Sequence, residues 1–113
     1  MDVNFPSLVS IGNNVFKNCT IANVKSLGSI AAIPEYTFYN CNNLKKIEIP
    51  SDVTTIKTHA FDGCNSLTVL EFPLSVTTIE SYAIANCSRL KNIKSLGSIT
   101  AFTENMVYNC PEL

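Results

Sequence analysis

The chain has 113 residues, of which 46% are hydrophobic and 15% charged, and its formal net charge is −1. A near-neutral chain without a run of like charges lacks the basic surface expected of proteins that bind nucleic acid or an anionic membrane. No stretch reaches the roughly 18 to 20 consecutive apolar residues of a membrane span, and the N-terminus lacks the basic start and apolar run of a signal peptide. The composition therefore predicts one domain with a continuous core, no membrane span and no nucleic-acid partner.

A repeat of about 23 residues organises the whole chain. Its clearest marker is a cysteine in every copy, at intervals of 22, 23, 23 and 23 residues: Cys19, Cys41, Cys64, Cys87 and Cys110. Self-similarity at such a period predicts a solenoid, in which neighbouring coils share a core. We expect a single domain over residues 1–113, with coils at about 1–32, 33–55, 56–78, 79–101 and 102–113. Because both ends of the chain fall inside repeats, we expect a fragment of a longer protein or an uncapped array.

Two strands and two turns are predicted in each coil. Residues 44–49 place apolar side chains in an alternating pattern after a leucine, which predicts a half-buried strand. One such strand per coil gives a parallel sheet along one wall. The strand ends in a turn at Pro50, at Pro73 or at Leu96-Gly97-Ser98, depending on the coil. Residues 53–56 are β-branched and suit a shorter strand on a second wall, and residues 82–85 predict one helical or 3₁₀ turn before the cysteine.

The repeat pattern is similar to that of a known family. The string Ile-x-x-x-Ala-Phe-x-x-Cys-x-x-Leu, best displayed by residues 56–78, resembles the leucine-rich repeats of the BspA-like, or Treponema-type, surface proteins. This resemblance implies a leucine-rich repeat solenoid, α/β by convention but mainly β, with about five right-handed coils. It also implies a cell-surface or secreted protein that acts in adhesion or binds host proteins. Ile84 and Val107 depart from the pattern, because they replace its aromatic residue.

The cysteines favour a structural role over chemistry. The chain has no Cys-x-x-Cys motif and only one histidine, and an odd number of thiols cannot pair completely within the chain. Equivalent residues on adjacent coils also have parallel Cα–Cβ vectors, which disfavour the torsion of a disulfide. We predict that Cys19, Cys41, Cys64, Cys87 and Cys110 form a ladder of core thiols, without a metal or cofactor.

Other polar residues give no catalytic constellation. An asparagine precedes four of the cysteines, and we expect its amide to satisfy backbone groups at a turn. Asn18 and Asn86 also lie in glycosylation acceptor triplets, but the adjacent core cysteine makes access difficult. His59 falls in a variable column that we expect to be exposed. No residue type or spacing indicates a nucleophile, a phosphate loop or a paired acid and base.

The remaining candidate is the outward face of the predicted sheet, whose residues change from coil to coil while the core does not. We predict a non-catalytic module that binds a protein or glycoprotein through this face. An ordinary solvated surface, a structural spacer and a solenoid that stacks end to end are the alternatives. The candidate contact residues are Lys25, Lys45, Lys46, Glu48, Thr68, Val69, Glu71, Lys91, Asn92 and Lys94.

Overall fold

The computed structural model describes residues 2–95 and 98–113, which form a solenoid of short parallel strands. The strands, numbered along the chain, are β1 (Asp2–Asn4), β2 (Asn23–Ser26), β3 (Ala32–Ile33), β4 (Lys46–Ile47), β5 (Thr55–Ile56), β6 (Val69–Glu71), β7 (Thr78–Ile79), β8 (Ile84–Ala85), β9 (Asn92–Lys94), β10 (Ala101–Phe102) and β11 (Val107–Tyr108). Every pairing between them is parallel. The mainly β, parallel-stranded leucine-rich repeat fold predicted from the sequence is confirmed.

The first wall carries the strand predicted from residues 44–49 and its equivalents. It consists of β1, β2 and β4 in one sheet, and of β6 and β9 in another. The register follows the repeat: Val24 pairs with Ile47, and Leu70 pairs with Ile93. In β1, β6 and β9 the inward residues are buried or half-buried and their neighbours are exposed, as alternation requires.

The second wall is one sheet in the order β10-β7-β5-β3. Ile33, Ile56 and Ile79 lie in register along it, and all three side chains are fully buried. The predicted short strand is therefore confirmed in each of these coils. The turn predicted at Leu96-Gly97-Ser98 lies largely outside the described residues.

Turns make up most of the third wall. In residues 35–40 and 58–63 the backbone forms consecutive turns, closed by bonds such as the Tyr39 N–H to the Tyr36 carbonyl at 3.3 Å. The predicted turn at residues 82–85 is wrong in its second half, since Ile84–Ala85 is strand β8 and pairs with β11. These two strands contain Ile84 and Val107, the two residues that replace the aromatic of the repeat. A β-branched side chain favours extended backbone, which accounts for the difference.

The core runs continuously between the three walls. Its largest members are the aromatic column, in which the Phe38 ring stacks on Phe16 at 5.6 Å and on Phe61 at 5.4 Å. Phe38 and Phe61 are completely buried. Burying such a ring contributes about 1.5 to 3 kcal/mol, so each coil is held mainly by apolar contact with its neighbours.

Candidate binding surface

All ten predicted contact residues lie on the exposed side of the first wall. We call this set the sheet face; it consists of Lys25, Lys45, Lys46, Glu48, Thr68, Val69, Glu71, Lys91, Asn92 and Lys94, each of them exposed. Strand register places equivalent positions side by side, so that Val69 lies next to Asn92 and Glu71 next to Lys94. Because strands of a sheet lie about 4.8 Å apart, the side chains form closely spaced rows across the coils.

The ladder of the first wall is interrupted in the middle of the sheet face. Strands β4 and β6 are on adjacent coils, yet they belong to separate sheets. On both sides of the break the neighbouring coils are joined by backbone bonds. The Lys45 N–H donates to the Ala22 carbonyl at 2.8 Å, and the Lys91 N–H donates to the Thr68 carbonyl at 2.8 Å. Over the part of the chain that the structure describes, no backbone hydrogen bond joins β4 to β6. Nothing in the sequence pattern, which is the same in both coils, indicates this break.

A shallow hollow of about 530 Å³ opens at the break. Lys45, Lys46, Ile47, Val69 and Phe72 are among the residues that line it. Val69 is 39% exposed, whereas Phe72 is almost completely buried. A second hollow of about 470 Å³ lies beside it, between β2 and β4, and shares Lys46 and Glu48 with the first. Both hollows thus lie on the sheet face.

Charge is distributed unevenly between the sheet face and the remaining surface. Five lysines and two glutamates give the sheet face a formal charge of +3, while the other three basic and seven acidic residues of the chain give −4. Lys25 also forms an ion pair with Asp2 at 3.4 Å, at the edge of the wall. A hydrogen bond from the Asn23 side chain, together with the nearby Lys25, lowers the pKa of Asp2. The ion pair is exposed and adds little to stability.

The cysteines line the interior rather than a site. All five are free thiols; Cys41, Cys64 and Cys87 are fully buried, whereas Cys19 and Cys110 are half-buried. Each buried thiol donates to a backbone carbonyl of the aromatic column in the preceding coil. These bonds run from Cys41 to Phe16 (3.0 Å), from Cys64 to Phe38 (3.2 Å) and from Cys87 to Phe61 (3.1 Å).

The environment of the thiols suppresses their ionisation. Burial raises the pKa of Cys41 to about 11. For Cys87, a hydrogen bond from Cys110 lowers the pKa, but hydrogen bonding to Cys64 and burial outweigh it and raise the value to about 12. The pKa of Cys110 is raised mainly by its hydrogen bond with Cys87. Thiols in this state are poor nucleophiles and poor metal ligands.

Two columns of the repeat adopt left-handed backbone. One contains Asn18, Asn40, Gly63, Asn86 and Asn109, with φ between 53° and 85°. The other contains Asn14, Tyr36, His59, Tyr82 and Asn105, with φ between 58° and 64°. The N–H groups of such residues point along the solenoid and donate to the next coil, as Asn40 does to the Asp62 carbonyl at 2.8 Å. A column of only asparagine and glycine is the signal that could have predicted this conformation.

His59 is half-buried within a stack of rings, so the expectation that it is exposed is wrong. Its imidazole lies 4.7 Å from the Tyr36 ring and 5.4 Å from the Tyr82 ring, and it is nearly parallel to both. These are the equivalent residues of the neighbouring coils, which the 23-residue period brings together.

In the described ranges 2–95 and 98–113, no group of three or more histidine, cysteine or acidic residues is arranged to hold a metal ion. Within the same ranges, no helix has the length and apolar character needed to cross a membrane.

Comparison with protein families gives a match over the whole chain. Residues 1–113 match the family described as the BspA type leucine rich repeat region, in six copies. Among proteins with curated descriptions, none matches the chain significantly.

Two solved structures are similar to the chain. A leucine-rich repeat protein from Bacteroides ovatus ATCC 8483 has a TM-score of 0.71 and 24% identity, covering 100% of this chain and 38% of that one. The T. pallidum leucine-rich repeat protein has a TM-score of 0.58 and 26% identity, covering 75% of this chain and 51% of that one. The chain therefore spans at most about half the length of these solved structures.

Proposed function

Because the chain belongs to the BspA-type leucine-rich repeat family, we propose that it is a non-catalytic interaction module whose sheet face binds a protein or glycoprotein. Leucine-rich repeat proteins are generally protein-interaction modules, and their stacked coils provide an extended surface for a partner. An adhesive or host-protein-binding role, at the cell surface or in a secreted protein, is part of this proposal.

One observation carries the proposal. The sheet face combines exposed residues that differ between coils with two adjoining hollows, one of them at the break between β4 and β6. Binding sites are concave and combine apolar contact with a few polar groups that fix orientation. Lys45, Lys46 and Val69 provide such a combination. Packing of the core does not determine which residues stand at these outward positions.

A selection with a displayed peptide library tests the proposal and does not require the partner to be identified. Peptides are selected on the immobilised chain and retested on Lys45→Glu/Lys46→Glu. A control variant, Thr54→Glu/Thr77→Glu, places two acidic residues on the second wall, just before β5 and β7. We expect binding to be lost in the first variant and retained in the second, at unchanged melting temperatures. If the peptides lose binding only to Thr54→Glu/Thr77→Glu, the site lies elsewhere and the proposal is overturned.

Self-association is the alternative, and exposed apolar side chains favour it. Val9 and Val15 in the first coil are 75% and 46% exposed, and Tyr108 and Leu113 in the last are 48% and 50% exposed. A second copy, or further coils of a longer protein, would cover these groups equally well. Sedimentation velocity over a concentration series decides between them for the isolated chain. Open-ended growth with concentration supports stacking, and a monomer at every concentration excludes it.

A further inference from the structure

We propose that the hollow between β4 and β6 binds an extended, acidic segment of another protein. A carboxylate of that segment would lie near Lys45 and Lys46, and an apolar side chain of the same segment would lie against Val69. This inference rests on the proposed function, because it names the partner chemistry of the same face.

The charge of the surroundings selects an acidic partner. The sheet face carries +3, whereas the remainder of the chain carries −4. An acidic segment is therefore attracted to the sheet face and repelled elsewhere, which orients its approach. Lys46 lines both hollows, so that it would contact a segment in either one. Neither Lys45 nor Lys46 forms an ion pair among the described residues, so that both ammonium groups are available to a partner's carboxylate.

The apolar part of the hollow selects a protein segment over a uniform polyanion. Ile47, Val69 and Phe72 contribute to its lining, and Val69 is 39% exposed. A peptide can place an apolar residue there and a carboxylate two positions along, since alternate side chains of an extended strand point to the same side. A sulfated polysaccharide or nucleic acid has a charge on every unit and would bring anions against Glu48 and Glu71, which also line this hollow. Like charges in contact cost free energy.

The backbone fixes the position of the hollow. β4 and β6 present edges that do not pair with each other in the described chain. The intact ladders β2-β4 and β6-β9 hold the backbone on both sides of the hollow, so a segment would lie across the exposed faces of these strands.

Fluorescence anisotropy with a labelled glutamate–valine peptide, in which a serine separates each glutamate from the next valine, tests this inference. We expect saturable binding that weakens as salt increases, because exposed charges are screened. Lys46→Glu should weaken binding at least about tenfold, whereas the matched reversal Lys57→Glu, on the second wall, should leave it unchanged. Val69→Ala should weaken binding about threefold to tenfold through lost apolar contact.

Three comparison probes make the inference falsifiable. A glutamate–serine peptide should bind more weakly than the glutamate–valine peptide, and equal binding would overturn the apolar part of the inference. Heparin that binds more tightly than the peptide would overturn the choice of a protein segment. An absence of saturable peptide binding would overturn the acidic partner altogether. The displayed-library selection distinguishes this failure from failure of the proposed function, since it can yield non-acidic peptides that still depend on Lys45 and Lys46.

Discussion

The Nδ1–H of His59 donates a hydrogen bond to the Oδ2 atom of Asp62, 2.7 Å away and one turn later in the same coil. The other oxygen of this carboxylate accepts a bond of 2.9 Å from the Asn86 side chain of the next coil. Asp62 is only 7% exposed, so its carboxylate is largely shielded from bulk water. A single buried carboxylate thus fixes the geometry of one turn and links it to its neighbour.

Removing this carboxylate should destabilise the fold. Asp62→Ala leaves the His59 Nδ1–H and the Asn86 amide without their partner, and we expect the free energy of unfolding to fall by about 1 to 3 kcal/mol. Urea denaturation measures the loss. The single variant His59→Ala and the double variant complete a mutant cycle, for which we expect a coupling energy of about 0.5 kcal/mol or more. A coupling energy near zero would contradict the description of the bond as stabilising.

Two glycines should respond differently to the same substitution. Both have positive φ, 67° at Gly28 and 85° at Gly63, which costs an alanine about 1 to 2 kcal/mol. A Cβ on Gly28 would lie 2.1 Å from the backbone oxygen of Leu8, whereas a Cβ on Gly63 would lie 2.5 Å from the movable Asn40 side chain. We therefore expect Gly28→Ala to lower the melting temperature further than Gly63→Ala. The reverse order in a thermal melt would contradict the close packing of the Gly28 turn.

The asparagine column should depend on backbone conformation as well as on its amide. Asn86 has a φ of 53° and bonds to Asp62. Asn86→Gly and Asn86→Ala both remove the amide, but only alanine opposes the left-handed backbone. We expect the alanine variant to be less stable than the glycine variant by about 1 kcal/mol, measured by urea denaturation. Equal stabilities would mean that the amide alone explains the asparagine.

The buried thiols should be protected in the folded protein. Cys41, Cys64 and Cys87 are fully buried, while Cys19 and Cys110 are half-buried. We expect a thiol reagent to modify at most Cys19 and Cys110 under native conditions and all five cysteines in denaturant without reductant. Mass spectrometry of the modified peptides locates the labels. Native labelling of Cys64, or a mass that is two units low for each bridge, would contradict the free buried ladder.

Stability should decline at alkaline pH because of these thiols. The folded pKa values of Cys41 and Cys87, about 11 and about 12, lie above the ordinary value of 9.0. The unfolded chain therefore loses thiol protons first as pH rises. Stability is independent of the thiols below about pH 9 and falls between pH 9 and 11 to 12, by at most about 1.4 kcal/mol per pH unit for each thiol.

The Cys41→Ala variant isolates this contribution, since lysine and tyrosine titrations are common to both proteins. Unfolding free energies at several alkaline pH values should have a smaller slope in the variant. Identical slopes would mean that Cys41 titrates normally in the folded chain.

The fold follows from the sequence because each coil repeats the same apolar positions. The column of Ile33, Ile56 and Ile79 is sufficient to predict one core position and one short strand per coil. The strand at Ile84–Ala85 is not predictable in this way, because its extended backbone depends on pairing with the next coil. There Val107, which is also β-branched, lies opposite Ile84. Local pattern alone assigns it to the turn of the other coils.

The candidate site is predictable in composition but not in shape. Alternation along the strands identifies Lys46 and Val69 as outward residues, and Lys45 is a variable position just before the strand. It does not reveal whether two adjacent strands approach closely enough for hydrogen bonds, which depends on the packing of whole coils. The break between β4 and β6 is therefore visible only in three dimensions. The ring stack that contains His59 is not predictable either, because the variability of its column suggests an exposed residue.

The bonds from each buried thiol to the preceding coil have a consequence for folding kinetics. They join residues 25 or 26 positions apart, and the asparagine–asparagine bond between Asn86 and Asn109 joins residues 23 apart. Closing a loop of that length has a fixed entropic cost that does not increase when coils are added. The relative contact order of a longer array is consequently lower than that of a short one. Two adjacent coils are then the smallest nucleus, and folding can begin at any pair and propagate in both directions.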